Sequence, residues 1–234
     1  MITIRKKAIV IQIVMLFFTP LLLFCQNDVM KNDWANLKKY DSENKELLSD
    51  PNSKRIVFMG DSITEFWKVN DSSFFDKSKI NRGISGQTTS QMVLRFPQDV
   101  ISLKPEAVII LAGINDIAEN TGPIFNEGIL ENIIAMSELA KANNIKVILC
   151  SVLPANRFNW NPKILPANRG IALNKMIQSY AKTNKIIYVD YYSHMVDDEN
   201  GLQKRFGEDG VHPNKEGYLL MKSIVNEAIE ELLN

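Results

Sequence analysis

The chain has 234 residues, 45% of them hydrophobic, and its 27 Lys and Arg balance 27 Asp and Glu. That is enough apolar material for one sizeable α/β domain and short of two. The zero net charge argues against a nucleic-acid binder, which carries a basic excess or a basic stripe.

Arg5, Lys6 and Lys7 precede an apolar run from Ala8 to Phe24, and Cys25 follows. A charged n-region ahead of an apolar h-region is the pattern of a secretory signal. Three fates fit residues 1–25: cleavage after Cys25, lipidation at Cys25 as a bacterial lipoprotein, or retention of a run close to bilayer-spanning length as an anchor. Each places the domain outside the cytoplasm, periplasmic or extracellular, with any membrane tether confined to the N-terminus. Residues 26–53 are polar, with Trp34, Leu37, Tyr40, Leu47 and Leu48 scattered among them. They read as a linker leading into one helix on the outside of a domain at 54–234.

From Arg55 onward, short apolar runs alternate with amphipathic stretches. The expected strands are Ile56–Met59, a weaker one at Ile80–Gly83, Ala107–Ala112, Val147–Val152 and Ile186–Asp190. Near-continuous apolar runs suit parallel strands covered on both faces. Helical spacing covers Gln87–Leu103, where Pro97 should kink or split the helix, then Phe125–Asn143, Leu165–Lys182 and Asn214–Leu233. The alternation predicts an α/β fold, a three-layer α/β/α sandwich around a five-stranded, mainly parallel, doubly wound flavodoxin-like sheet. Cys150 ends an apolar run and has no partner once Cys25 is set aside, so it reads as a buried, inert thiol.

In such sheets ligands bind beyond the carboxyl ends of the strands. The exits carry Gly60-Asp61-Ser62, then Gly83-Ile84-Ser85-Gly86, then Gly113-Ile114-Asn115-Asp116, then Asp190 to His194, and a later loop carries Asp209-Gly210-Val211-His212-Pro213. Each has two readings. Ser62 is either a helix-cap neighbour or a nucleophile. Asp209 and His212, three apart in a turn, are either loop residues or a carboxylate orienting an imidazole. Asn115 either caps a turn or donates to an oxyanion. Gly86 is either a turn residue or one whose N–H meets a ligand, with no Cβ to block it. His194 has no acid at i−3 and reads as a rim residue.

Taken in order, Gly60-Asp61-Ser62, Asn81-x-Gly83-x-x-Gly86, Gly113-x-Asn115-Asp116 and Asp209-x-x-His212 resemble the blocks of the SGNH hydrolases, the GDSL-type esterases and lipases. Within that family the arrangement is similar to platelet-activating-factor acetylhydrolase subunits and bacterial carbohydrate acetylesterases. The resemblance implies Ser62 as nucleophile, His212 as general base and Asp209 as its orienter. It also implies an oxyanion hole from the N–H groups of Ser62 and Gly86 and the side-chain amide of Asn115. Ile63 stands where the family name has leucine, a small departure. No metal or other cofactor is implied, and two histidines with one remaining cysteine offer no metal-ligand cluster.

Two rivals are weaker. A nucleotide site lacks the P-loop Lys and the G-x-G-x-x-G pattern. A non-catalytic glycan-binding module would not need every catalytic position filled. The partner is then a small-molecule or glycan ester, not nucleic acid. In the loop after strand four, Phe158 and Trp160 either stack on a sugar ring or pin the loop, and Arg157 is placed to meet an anionic group. With no long apolar lid in the sequence, short acyl groups, acetyl especially, on an O-acetylated carbohydrate are expected. An acyl-lipid or lysophospholipid ester of the same family is the alternative.

Overall fold

A computed structural model describes residues 33–50 and 54–233 of the chain, so the signal expected at 1–25 lies outside the described residues. The chain runs α1 (Asp41–Leu48), β1 (Ile56–Gly60), α2 (Ser62–Asn70), β2 (Lys79–Gly83), α3 (Thr89–Asp99), β3 (Ala107–Leu111) and α4 (Ile114–Ile117). It continues through α5 (Asn126–Ala142), β4 (Lys146–Cys150), α6 (Ala167–Thr183), β5 (Ile187–Val189), α7 (Tyr191–Met195) and α8 (Lys215–Leu233). The strands form one sheet in the order β2-β1-β3-β4-β5, and every neighbouring pair is parallel. Helices α2 and α8 pack together on one face, and α3, α5 and α6 pack in sequence on the other. This is the three-layer, doubly wound arrangement. The order reverses at β1, whose neighbours β2 and β3 lie on opposite sides, and such a switch point opens a crevice beyond the strand ends.

The expected elements shift at their edges. The strand expected over 147–152 ends at Cys150, and that over 186–190 shortens to 187–189. The helix expected from Gln87 begins at Thr89, where the Gln91 side chain accepts from the Thr88 N–H at 3.0 Å. Pro97 sits in its last turn, and the helix stops at Asp99 before a 3₁₀ turn at Ile101–Leu103.

Helix α2 was visible in the sequence only as a first turn. Its inner face is nailed down by aromatic packing. Trp67 stacks on Phe74 at 5.0 Å and on Tyr218 at 5.6 Å, and meets Phe58 edge-on at 5.9 Å. The Tyr218 hydroxyl donates to the Ile63 carbonyl at 2.8 Å. Truncating a buried aromatic of this size costs about 3–5 kcal/mol, so this cluster fixes the helix that begins at Ser62.

The stretch 33–50 lies against β2 and α3. Asn44 is buried, donating to Asp99 Oδ1 at 2.8 Å and accepting from Arg82 Nη2 at 2.7 Å. The Tyr40 hydroxyl donates to the Gly83 carbonyl, and the Arg82 guanidinium sits 4.4 Å from the Tyr40 ring centre.

Candidate active site

Where β1 leaves the core, the backbone turns sharply and the first turn of α2 starts. A Cβ on Gly60 would stand 2.1 Å from Thr64 Oγ1 and 2.9 Å from the Leu111 carbonyl, so only glycine allows this approach. Asp61 caps the helix, its Oδ1 accepting from the Ile63 N–H at 2.9 Å. Ser62 follows as the first helical residue, so its own N–H has no intrahelical acceptor.

Ser62 Oγ lies 2.9 Å from His212 Nε2, and His212 Nδ1 lies 2.6 Å from Asp209 Oδ2. A carboxylate only accepts, so Nδ1 carries the proton. Nε2 of the neutral ring is then the acceptor for the Ser62 hydroxyl. The other Asp209 oxygen accepts from the N–H groups of Val211 and His212 at 2.9 and 2.8 Å, which shapes the loop around the ring it orients. Burial pushes the Asp209 carboxyl up, but hydrogen bonds from His212 and Val211 more than offset this and hold it below the usual carboxylate range. Behind the loop, a Cβ on Gly207 would stand 2.3 Å from the His212 carbonyl.

The exits of β2 and β3 lie next to the end of β1 and the turn that leads to Ser62. The Ile84 N–H donates to the Gly60 carbonyl at 3.1 Å, binding the second loop to the first. Gly86 takes φ +76°, a left-handed geometry that favours glycine. Asn115 follows Gly113, itself at φ +124°; its amide donates to the Gln87 carbonyl at 3.1 Å and its oxygen accepts from Asn120 Nδ2 at 2.9 Å. Asn120 also donates to the Gly86 carbonyl at 3.2 Å. Asp116 accepts from Thr89 N–H and Oγ–H at 2.9 and 2.6 Å, tying the β3 exit to the start of α3. Among the described residues, neither the Ser62 nor the Gly86 backbone N–H has a protein acceptor.

The carboxyls beneath the site are dry. Burial pushes Asp61 up to about 7, with the Ile63 N–H and His212 pulling the other way. Burial also raises Asp116, against the hydrogen bonds from Thr89.

The structure thus brings Ser62, His212 and Asp209 into one hydrogen-bonded chain and sets Gly86 and Asn115 in one network through Asn120. His194 is exposed on α7 and takes no part in that chain. Of the two readings of Phe158, the structure takes the one in which it pins the loop. It is only 1% exposed, so it cannot stack on a ligand; Trp160 instead stacks on it at 4.9 Å and is itself 48% exposed, 6.4 Å from the His212 ring. Arg157 is exposed. Asn159 Nδ2 donates to the Asp209 carbonyl at 3.3 Å, fastening this loop to the His212 loop. Phe66 was missed: its ring lies 5.3 Å from that of His212 and is 38% exposed. The signal for it was its place four residues after Ser62, on the same helical face. Burial pushes the Cys150 thiol up to about 12, which leaves it inert. Among the described residues, no group of three His, Cys, Asp or Glu is placed to hold a metal.

Comparison with known proteins gives consistent matches. The profile of the GDSL-like lipase/acylhydrolase family matches residues 58–220. A GDSL-like lipase from Bacteroides thetaiotaomicron, known from its crystal structure, is 48% identical and superposes with a TM-score of 0.82, covering 85% of this chain and 99% of that one. An uncharacterized lipoprotein of Bacillus subtilis is 36% identical over 78 residues, 32% of each chain. An acetylxylan esterase of Xylanibacter ruminicola is 23% identical over 75% of this chain and 43% of its own. The chain therefore spans less than half the length of these two curated relatives.

Proposed function

We propose that this chain, which belongs to the GDSL-like lipase/acylhydrolase family and is by class a carboxylic ester hydrolase, cleaves short-chain esters through an acyl-enzyme on Ser62. One observation carries the mechanism: Ser62, His212 and Asp209 form one hydrogen-bonded chain at 2.9 and 2.6 Å, while among the described residues the Ser62 and Gly86 N–H groups have no protein acceptor. His212 Nε2 takes the Ser62 proton as Oγ attacks the ester carbonyl. The N–H groups of Ser62 and Gly86 and the Asn115 amide receive the oxyanion. The tetrahedral adduct collapses, and His212 returns the proton to the departing alcohol. Water, deprotonated by His212, then attacks the acyl-enzyme and releases the acid. Asp209 keeps the ring in its Nδ1–H tautomer and stabilises the imidazolium. No step calls for a metal or another cofactor.

The substrate we assign is an acetyl ester of a carbohydrate. Phe66 and Trp160 are exposed aromatic rings 5.3 and 6.4 Å from that of His212, surfaces that suit a sugar ring. The sequence offers no long apolar lid segment of the kind a long acyl chain would need. The acetylxylan esterase relative supports the same class. The reading places the enzyme outside the cytoplasm through residues 1–25, with 26–53 leading into a hydrolase domain at 54–234. The lipoprotein relative supports that export, and Cys25 is the residue a lipid would modify.

The test is a Ser62→Ala exchange assayed on p-nitrophenyl acetate, acetylated xylan, longer aryl esters and lysophospholipid. The wild type should prefer the acetyl substrates, and the variant should lose turnover on all of them. Turnover surviving in the variant removes Ser62 as nucleophile. A preference for long chains or lysophospholipid replaces the carbohydrate reading with the acyl-lipid one, and an inactive wild type points to a binding module.

A further inference from the structure

Glu65 lies one turn beyond Ser62 on α2, but its side chain serves the neighbouring loop. Its Oε2 accepts from both the N–H and the Oγ–H of Ser85, at 2.7 and 2.6 Å. Its Oε1 accepts from Lys39 Nζ at 2.8 Å, within the stretch that precedes α1. Ser85 is joined directly to Gly86. On the far side of that glycine the carbonyl is held by Asn120 at 3.2 Å, and the Gln87 N–H closes a turn onto the Ile84 carbonyl at 3.3 Å. The Gln87 side chain donates to the Ala35 carbonyl at 2.7 Å and accepts from Arg95 Nε at 2.5 Å. The peptide that carries the Gly86 N–H is therefore pinned on both flanks, twice through the stretch before α1.

This pinning has a chemical use. A glycine at φ +76° has no side chain to restrict it, so its peptide plane turns easily unless its neighbours are fixed. An oxyanion donor stabilises developing charge only if it is aimed before the charge forms. An exposed ion pair such as Lys39–Glu65 is by itself worth about 0–1 kcal/mol, too little to be a reason for building it. Its partners at Ser85 sit where the aim of Gly86 is decided.

We infer that Glu65, steadied by Lys39, is a positioning residue that fixes the Gly86 N–H in the oxyanion hole through Ser85. The inference rests on the acyl-transfer reading of the site. Its consequence is confined to the transition state, because the ground-state ester does not need the donor at full strength.

The experiment uses the full chain with Glu65→Ala, Glu65→Gln, Lys39→Met and Asn115→Ala. It measures kcat and KM on p-nitrophenyl acetate, the Ki of a boronic acid that forms a tetrahedral serine adduct, and active sites titrated with a fluorophosphonate. Glu65→Ala should lower kcat per titrated site about tenfold, leave KM within about twofold and raise the boronate Ki by the same factor as kcat falls. Glu65→Gln, which keeps an acceptor for Ser85, should recover most of the loss, and Lys39→Met should lose about twofold to threefold. An unchanged kcat per site, or a loss carried only by fewer titrated sites, overturns the positioning role. Should Glu65→Ala not fold, the Gln and Lys39 variants decide by the same readings. Asn115→Ala separates the two levels. If it weakens the boronate while the Glu65 variants do not, the positioning inference alone fails; if it leaves the boronate unaffected, the oxyanion reading fails first.

Discussion

Asp61 shows how a single residue couples folding to the site. It is 1% exposed and burial pushes it up to about 7, yet it must accept the Ile63 N–H to start the helix that begins at Ser62. An acid whose folded pKa lies above its unfolded value stabilises the fold below the unfolded value near 3.8, and that stability drains as pH rises through about 7. Asp61→Asn keeps the cap acceptor and removes the titration. The wild type should thus lose on the order of a few kcal/mol relative to Asp61→Asn between about pH 4 and pH 7, read by urea unfolding. Parallel stability curves for the two proteins would exclude it. Trp160 gives a prediction of a different kind, because it is half exposed and held flat on Phe158. Trp160→Ala should raise KM for an acetylated oligosaccharide about twofold to tenfold, the worth of one aromatic stacking contact, and leave p-nitrophenyl acetate unchanged. An equal effect on both substrates would make Trp160 a structural part of the loop.

At the scale of elements, the site depends on how closely the end of β2 approaches the first turn of α2. A Cβ on Gly83 would stand 2.2 Å from the Glu65 nitrogen and 2.7 Å from the Asp61 carbonyl, and neither backbone atom can swing aside. Gly83→Ala must displace the turn that carries Ser62. It should cost about 1–3 kcal/mol of stability and a larger share of activity, seen as a fall in kcat greater than the unfolded fraction explains. Retained kcat would mean that the turn tolerates the shift. This contact also marks what a sequence reading can reach. The strands were legible because β1, β3 and β4 are continuous apolar runs, and the four strand-exit blocks were legible because their spacing is local. Strand β2 read weakly because Asn81 and Arg82 are buried within it, and their partners, the Thr64 carbonyl and Asn44, come from other elements. The supports of the Gly86 loop stayed hidden for the same reason. Glu65, Gln87 and Asn120 look like ordinary surface polar residues until folding places Ser85, Ala35 and Gly86 beside them. Phe158 and Trp160 kept both of their readings because the sequence cannot say which of two nearby aromatics faces inward.

Across the whole molecule, a buried chain of polar contacts joins the stretch before β1 to the end of β1 that leads to Ser62. Arg82 donates to Asn44 Oδ1, Asn44 donates to Asp99, and Asp99 receives Arg95 Nη1 at 3.0 Å. Arg95, fully buried, then donates to the Gly60 carbonyl at 2.9 Å, two residues before Ser62. Burial pulls both arginines below their usual range, against the pull of Glu43 on Arg82 and of Asp99 on Arg95, and each nitrogen of both guanidinium groups has an acceptor. Asn44 is the one link that serves both sides, as acceptor for Arg82 and donor to Asp99. Asn44→Ala leaves an arginine and a carboxylate short of partners away from water, at a cost of about 2–4 kcal/mol. Because the network crosses from α1 to β1, the stretch 33–50 should melt together with the sheet, not ahead of it. Urea unfolding followed by tryptophan fluorescence tests this, since Trp34 reports on that stretch and Trp67 on the core. A single transition shifted to lower urea is expected for Asn44→Ala. An early separate transition, with the main one unmoved, would make the stretch an appendage and cut the link between it and the site.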